Sequence, residues 1–281
     1  MDFRHYFEHP FERKVMDIAY SVLGHFCNWD CPEGNTEMHF RKSIERGYDG
    51  LKADMRLTKD GKVVLCHDPG FTLDAEGRIT FFDSNNYVAF RDMTLEQTLD
   101  LEFAAAYEGQ RPKPCTLDTL LALCRENNLA AYLTLRPEPW REETARRMVE
   151  SIVAHDMQGL TIINLYPGCV EAKDFVSSLL PGMVYCNTRL PEDALTTELI
   201  DESAAQGYKI ICLCRRKIET VTPEKCHYAA SKGIHVWVWE ATNAQEVASD
   251  IARGVTGFQM CSLDVTVSVI NEILSKLPKT L

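Results

Sequence analysis

Short apolar runs alternate with amphipathic stretches along most of the chain. From residue 130 onward, strand-like runs fall at 130–135, 160–165, 183–186, 208–214, 234–239 and 257–260. Between them, apolar positions recur at helical spacing over 142–154, 170–179, 198–205, 223–231 and 244–252. Upstream, a first apolar run lies within 15–23. A helical pattern follows over 36–46 (Met38, Phe40, Ile44) and stops at Gly47. An extended run over 48–55, a Thr58–Lys59–Asp60–Gly61 turn and a short β-run over 62–67 come next, reading as a strand with an appended hairpin arm.

Eight core strands alternating with helices predict βα units around a parallel sheet, and that count over roughly 250 residues is that of a closed (β/α)8 TIM-type barrel. An open doubly wound sheet is the competing architecture, but no Gly-rich dinucleotide or phosphate loop follows any strand. The rhythm breaks over about 69–114, where Gly70, Gly77, Asn85 and Asn86 are turn formers and a helix starts near Thr94. We read this segment as a small insertion after the second strand and its hairpin. Thr116 then caps a helix carrying Leu117, Leu120, Leu121 and Cys124. No linker divides the chain, so residues 1–281 are expected to form one domain.

Composition narrows the function classes. With 45% hydrophobic and 25% charged residues, the chain has the mix of a folded globular protein. Its net charge of −11 disfavours nucleic acid as a partner, since the densest basic cluster is only Arg215–Arg216–Lys217. No apolar run approaches the roughly 20 residues of a membrane span. The N-terminal stretch MDFRHYFEHPFERKV has no apolar core of an export signal, and eleven cysteines, an odd number, suit reduced thiols. A cytoplasmic location is the expectation.

In such a barrel the reactive groups come from the C-terminal ends of strands. The polar residues there are His25, Asp54, His67, Thr134, Arg136, Asn164, Asn187, Arg215, Arg216 and Glu240. Histidines, a carboxylate and cations at one mouth suit a phosphodiester: the cations hold anionic oxygens and a histidine pair moves protons. His25, Cys27, Cys31 and His39 have the side chains of zinc ligands, but their spacings fit no compact pair. Cys212 and Cys214 share one strand face, as do Trp237 and Trp239, which by itself indicates packing. A tryptophan such as Trp239 could also line the pocket.

The stretch NTEMHFRKSIERGYDGLKADMRLTKDGKVVLCHD, residues 35–68, resembles the signature of the glycerophosphodiester phosphodiesterases. Asn35, Thr36 and Phe40 match the family's helix-opening motif, Asp54 its Glu-x-Asp strand, Thr58 to Gly61 its turn, and His67–Asp68 the end of the following strand. Thr116–Leu117, KGIHVWVWEATN and RGVTGFQM fit later family segments. The resemblance implies a barrel that hydrolyses glycerophosphodiesters to an alcohol and glycerol phosphate, normally with Mg²⁺ or Ca²⁺. It implies His67 as the acid or base.

Departures from the pattern carry their own expectations. The family's first strand ends in His-Arg-Gly. Here either Tyr20 or His25 takes the histidine position, and His25, seven residues before Pro32, fits the spacing better. Lys52 replaces the Glu of Glu-x-Asp, Thr134 replaces a carboxylate on a later strand, and Arg136 replaces the lysine after it. Asp54 alone survives of three metal carboxylates, with Glu240 as an alternative ligand from a later strand. A hard divalent cation needs several oxygen ligands, so no cofactor is expected with confidence. Lys52, Arg136 and Trp239 are expected to bind substrate, and His67 with His25 to move protons. The alternative is a barrel that no longer turns over and binds a phosphorylated ligand or a protein partner. The oligomeric state is not legible.

Overall fold

The structure, a computed structural model, describes residues 21–24, 34–135 and 142–260, with positions 268, 272, 275 and 276 beyond them. Eight parallel strands form its centre: β1 (Ser21–Gly24), β2 (Gly50–Leu57), β7 (Ala130–Leu135), β8 (Thr161–Leu165), β9 (Val184–Thr188), β10 (Ile210–Cys214), β11 (His235–Ala241) and β12 (Gly257–Met260). Each pairs in parallel with the next, and β1 pairs with both β12 and β2, so the sheet closes on itself. The architecture is the predicted (β/α)8 barrel.

Local sequence accounts for the element boundaries. Helix Glu37–Glu45 opens on Thr36, whose hydroxyl accepts from the His39 N–H at 3.2 Å. Threonines also cap the helices Leu117–Asn127, Thr197–Ala205 and Pro223–Ser231. Such a cap is worth about 1 kcal/mol. Gly47 lies just past the first helix at φ +76°, a left-handed conformation that a side chain would strain. Tyr48, expected in a strand, lies before β2 and is buried.

Cross-barrel contacts identify the residues that face inward. Tyr132 of β7 stacks on Trp237 of β11 at 5.9 Å between ring centroids. Gln259 of β12 donates to the Tyr132 hydroxyl at 2.9 Å. Period-two alternation then places Lys52, Asp54, Thr134, Asn164, Cys186, Thr188, Cys212, Cys214 and Trp239 on the same inner face. The opposite faces carry apolar residues such as Ile211, Leu213, Val236, Val238 and Phe258, which pack against the helices.

Two additions break the repeat. β3 (Val63–Leu65) runs antiparallel along the end of β2 after the Thr58 turn, which is closed by a Thr58 N to Lys62 O bond of 2.9 Å. The predicted insertion contains helix Leu95–Leu99 and a small antiparallel sheet of β4 (Gly70–Leu73), β5 (Ile79–Thr80) and β6 (Val88–Ala89). It carries its own cluster of Val64, Phe71, Ile79 and Phe90, with Phe71 edge-on to Phe90 at 4.7 Å. Among the described residues, no helix is long and apolar enough to cross a membrane.

Candidate active site

The C-terminal ends of β2 and β3 bring the main chemical groups together. Lys52 and Asp54, two residues apart on β2, both point into the barrel. There the ammonium pairs with Asp54 Oδ2, with 3% and 0% of the side chains exposed. Asn35, at φ +62° before the first helix, accepts from the Asp54 N–H through Oδ1 at 2.8 Å and anchors that turn of strand. Beyond β3 the Cys66 N–H donates to the Asp54 carbonyl at 2.9 Å. This bond joins the backbone just before His67 to the strand that carries Asp54. Arg56 reinforces the junction by donating to the carbonyls of Cys66 and His67.

His67 is partly exposed at the rim. Its Nδ1 lies 3.0 Å from Asp68 Oδ1. A carboxylate only accepts, so Nδ1 is the donor in this contact. Neighbouring thiols and phenols are poor rivals for proton transfer. Burial pushes the Cys66 thiol up to about 12 and the Cys214 thiol up to about 11, and holds the Tyr132 hydroxyl well above its ordinary value.

Below the charged pair lies a neutral polar chain. Asn164 donates from Nδ2 to Thr134 Oγ1 at 3.1 Å and accepts from the Thr188 hydroxyl. Thr188 lies 3.3 Å from the Tyr132 hydroxyl. Thr134 sits directly opposite Asp54 in the β2–β7 register. Trp239 also faces inward, three strands round the barrel, and its Nε1–H is buried without an acceptor among the described residues.

Other sequence candidates go elsewhere. Glu240 lies at φ +68°, where the β11–β12 register shifts. Its carboxylate accepts two bonds from Arg216, at 3.0 and 3.1 Å, and one from the Cys214 thiol at 3.2 Å. Asn187 and Arg215 were expected at the mouth, and the structure corrects both. Asn187 is on the outward face, bonded to Ser203 at 3.0 Å, and Arg215 pairs with Asp250 and Glu246. His25, Tyr20 and Arg136 lie outside the described residues, as do Cys27 and Cys31 of the zinc candidates. Sequence reasoning gave Asn35 no role beyond a motif match and overlooked Arg56 and Thr188. Arg56 and Thr188 were signalled by simple alternation from Asp54 and Cys186.

The described residues do not fit a divalent cation. Among the described residues no three His, Cys, Asp or Glu side chains gather as a metal-binding group. An ammonium rests on the Asp54 carboxylate. Two like unit charges 4 Å apart repel by about 4 kcal/mol at an effective dielectric of about 20. A divalent ion on Asp54 about 4 Å from the Lys52 ammonium would therefore meet about 8 kcal/mol of repulsion, roughly six powers of ten in affinity.

Comparison with known proteins agrees with the geometry. The profile of the glycerophosphoryl diester phosphodiesterase family matches residues 27–260. A glycerophosphodiester phosphodiesterase of Caldanaerobacter subterraneus is 32% identical over 83 residues, which is 27% of this chain and 30% of that protein. The chain thus matches less than a third of this curated relative's length. Among solved structures, an Oleispira antarctica phosphodiesterase in complex with the product sn-glycerol-3-phosphate superposes with a TM-score of 0.73 at 15% identity, covering 93% of this chain and 99% of that one. A Thermotoga maritima glycerophosphodiester phosphodiesterase gives 0.63 at 21% identity, covering 92% and 98%. At these identities the two structures establish the fold.

Proposed function

Because this chain belongs to the glycerophosphoryl diester phosphodiesterase family, we propose that it hydrolyses a small glycerophosphodiester to an alcohol and glycerol phosphate. The observation that supports this reading is the junction of β2 and β3, where the Cys66 N–H donates to the Asp54 carbonyl and ties the segment that leads into His67 to the strand of Lys52 and Asp54. Water attacks phosphorus, the bond from phosphorus to the leaving oxygen breaks, and that oxygen takes up a proton. His67 Nε2 takes this proton from the attacking water and passes it to the leaving oxygen, with Asp68 accepting from Nδ1. Lys52 offers its positive charge to a phosphoryl oxygen, an attraction that strengthens as charge builds on that oxygen. Trp239 lines the far wall, and its indole N–H is a donor for a substrate oxygen. His25 as second proton carrier and Arg136 as second cation complete the proposal on the strength of the family resemblance.

The glycerol phosphate held by the Oleispira protein supports a ligand of this chemical class. The cysteines among the described residues are free thiols, which supports a reducing compartment such as the cytoplasm. Release of glycerol phosphate from glycerophosphocholine, followed by a coupled dehydrogenase assay, tests the activity. Turnover that falls at least about a hundredfold in His67→Ala supports it, in line with the usual worth of acid–base catalysis. The Lys52–Asp54 pair also favours a second reading, a barrel that binds phosphorylated ligands without turnover. Binding of sn-glycerol 3-phosphate with no hydrolysis above the His67→Ala background would select that reading.

A further inference from the structure

We propose that a crevice over the outward face of β9 is a binding site for a small zwitterionic amino acid, of the size of alanine or serine. The crevice lies between the start of the helix Val170–Leu179 and one side of the helix Thr197–Ala205, and its volume is about 170 Å³. The inner face of the same strand carries Cys186 and Thr188 of the polar chain. The crevice is therefore separate from the mouth, and its occupancy does not depend on the hydrolase reading.

Three polar groups on its walls have hydrogen-bonding capacity that nothing among the described residues uses. Asn187 is 8% exposed and donates from Nδ2 to Ser203, which leaves its Oδ1 without a donor. Tyr208 is 4% exposed, and its hydroxyl has no hydrogen-bond partner among the described residues. Burial pushes that phenol up to about 12, so it keeps its proton, and the Arg189 cation is near enough to draw the value back in part. Arg189 reaches Asp193 with Nη2 at 3.0 Å, while its Nε–H is buried with no acceptor. Buried polar groups are ordinarily paired, because each one has given up its water. Three that converge on one small crevice mark the place of a ligand.

The walls also sort by sign. Arg189 Nε–H and the Tyr208 hydroxyl are donors, and the helix Val170–Leu179, whose first N–H groups no side chain caps, opens on the same wall. Together they suit a carboxylate. Asn187 Oδ1 and the Glu202 carboxylate, which pairs with no cation among the described residues, are acceptors that suit an ammonium. Val170 and Leu199 add apolar surface for a methyl or hydroxymethyl group. At about 30 Å³ per water the space holds five or six waters, or one molecule of about that many non-hydrogen atoms. Alanine or serine fits, and a glycerophosphodiester is too large.

Isothermal titration calorimetry of the full chain with L-alanine, L-serine and L-lactate tests the site. Alanine or serine should bind as one molecule per chain, with a dissociation constant at or below about 1 mM. Lactate keeps the carboxylate and replaces the ammonium with a hydroxyl, so it should bind at least about tenfold more weakly. Tyr208→Phe removes a hydroxyl that bonds nothing among the described residues. It should melt with the wild type and weaken alanine binding about ten- to a hundredfold, the worth of a hydrogen bond to a charged group. Arg189→Gln should weaken it at least as much, with circular dichroism checking its fold. No binding of either amino acid up to about 10 mM overturns the proposal. So does binding that Tyr208→Phe leaves unchanged, lactate binding as tight as alanine binding, or a crystal soaked in alanine whose crevice holds only water.

Discussion

Acid should destabilise this barrel through His235 in a way that can be worked out from its surroundings. His235 opens β11 at the pole opposite the mouth and is 3% exposed, with Nδ1 3.3 Å from Thr256 Oγ1. Burial, helped by the positive charge of Lys209, pushes its pKa down from 6.5 to about 3. In the folded protein the ring is therefore neutral, while in the unfolded chain it takes up a proton near pH 6.5. The associated stability is fully present above pH 6.5, is lost as pH falls from there, and is gone below about 3. The gap of about 3.5 units corresponds to about 5 kcal/mol in total, of which about 2 kcal/mol has been lost by pH 5. Urea unfolding at pH 7.5 and pH 5, on the wild type and on His235→Gln, isolates this contribution. The variant is less stable at neutral pH, but its deficit should shrink by about 2 kcal/mol at pH 5. For a urea slope near 3 kcal/mol/M, that is a relative shift of about 0.7 M in midpoint. Parallel pH profiles for the two proteins, or a His235 ring resonance titrating near pH 6.5 in the native state, would refute the reasoning.

Two further outcomes follow from packing and hydrogen bonding in the barrel. A methyl group on Gly257 would lie 2.3 Å from Cε2 of Trp237, whose ring is fully buried and stacked on Tyr132. Gly257→Ala should cost about 1–3 kcal/mol, or a melting temperature lower by several degrees in a thermal scan. Asn35→Ala removes the acceptor of the Asp54 N–H and a residue suited to positive φ. It should cost about 1–3 kcal/mol in denaturant unfolding and weaken sn-glycerol 3-phosphate binding severalfold.

The barrel was legible because each βα unit states its own period. Helices Glu142–Ala154 and Val170–Leu179 and strands β7 and β12 fall where the apolar pattern puts them. The small sheet of the insertion was not legible. β5 and β6 are two residues each and are held by neighbouring turns rather than by any alternation long enough to read. Sidedness separates the site residues that could be read from those that could not. Lys52 and Asp54 share a face by being two apart, whereas Asn187 and Arg215 are polar at strand ends yet lie off the inward parity of Cys186 and Cys212. Glu240 follows neither rule, because a non-glycine residue at positive φ shifts the register beneath it, which no local propensity announces.

Lysine at 52 and threonine at 134 are best understood as one physical change. Asp54 and Thr134 face each other across adjacent parallel strands inside a closed barrel, where an uncompensated charge is costly. A single ammonium offsets a single carboxylate. A second carboxylate at 134 would leave a buried negative charge that only a proton or a cation could relieve. Threonine avoids this, since its oxygen accepts from Asn164 and passes the bonding on through Thr188 to Tyr132 and Gln259, around the barrel without any formal charge. Among the described residues, the group of Lys52, Asp54 and Thr134 is then formally neutral, with Asn35 anchoring the strand at Asp54.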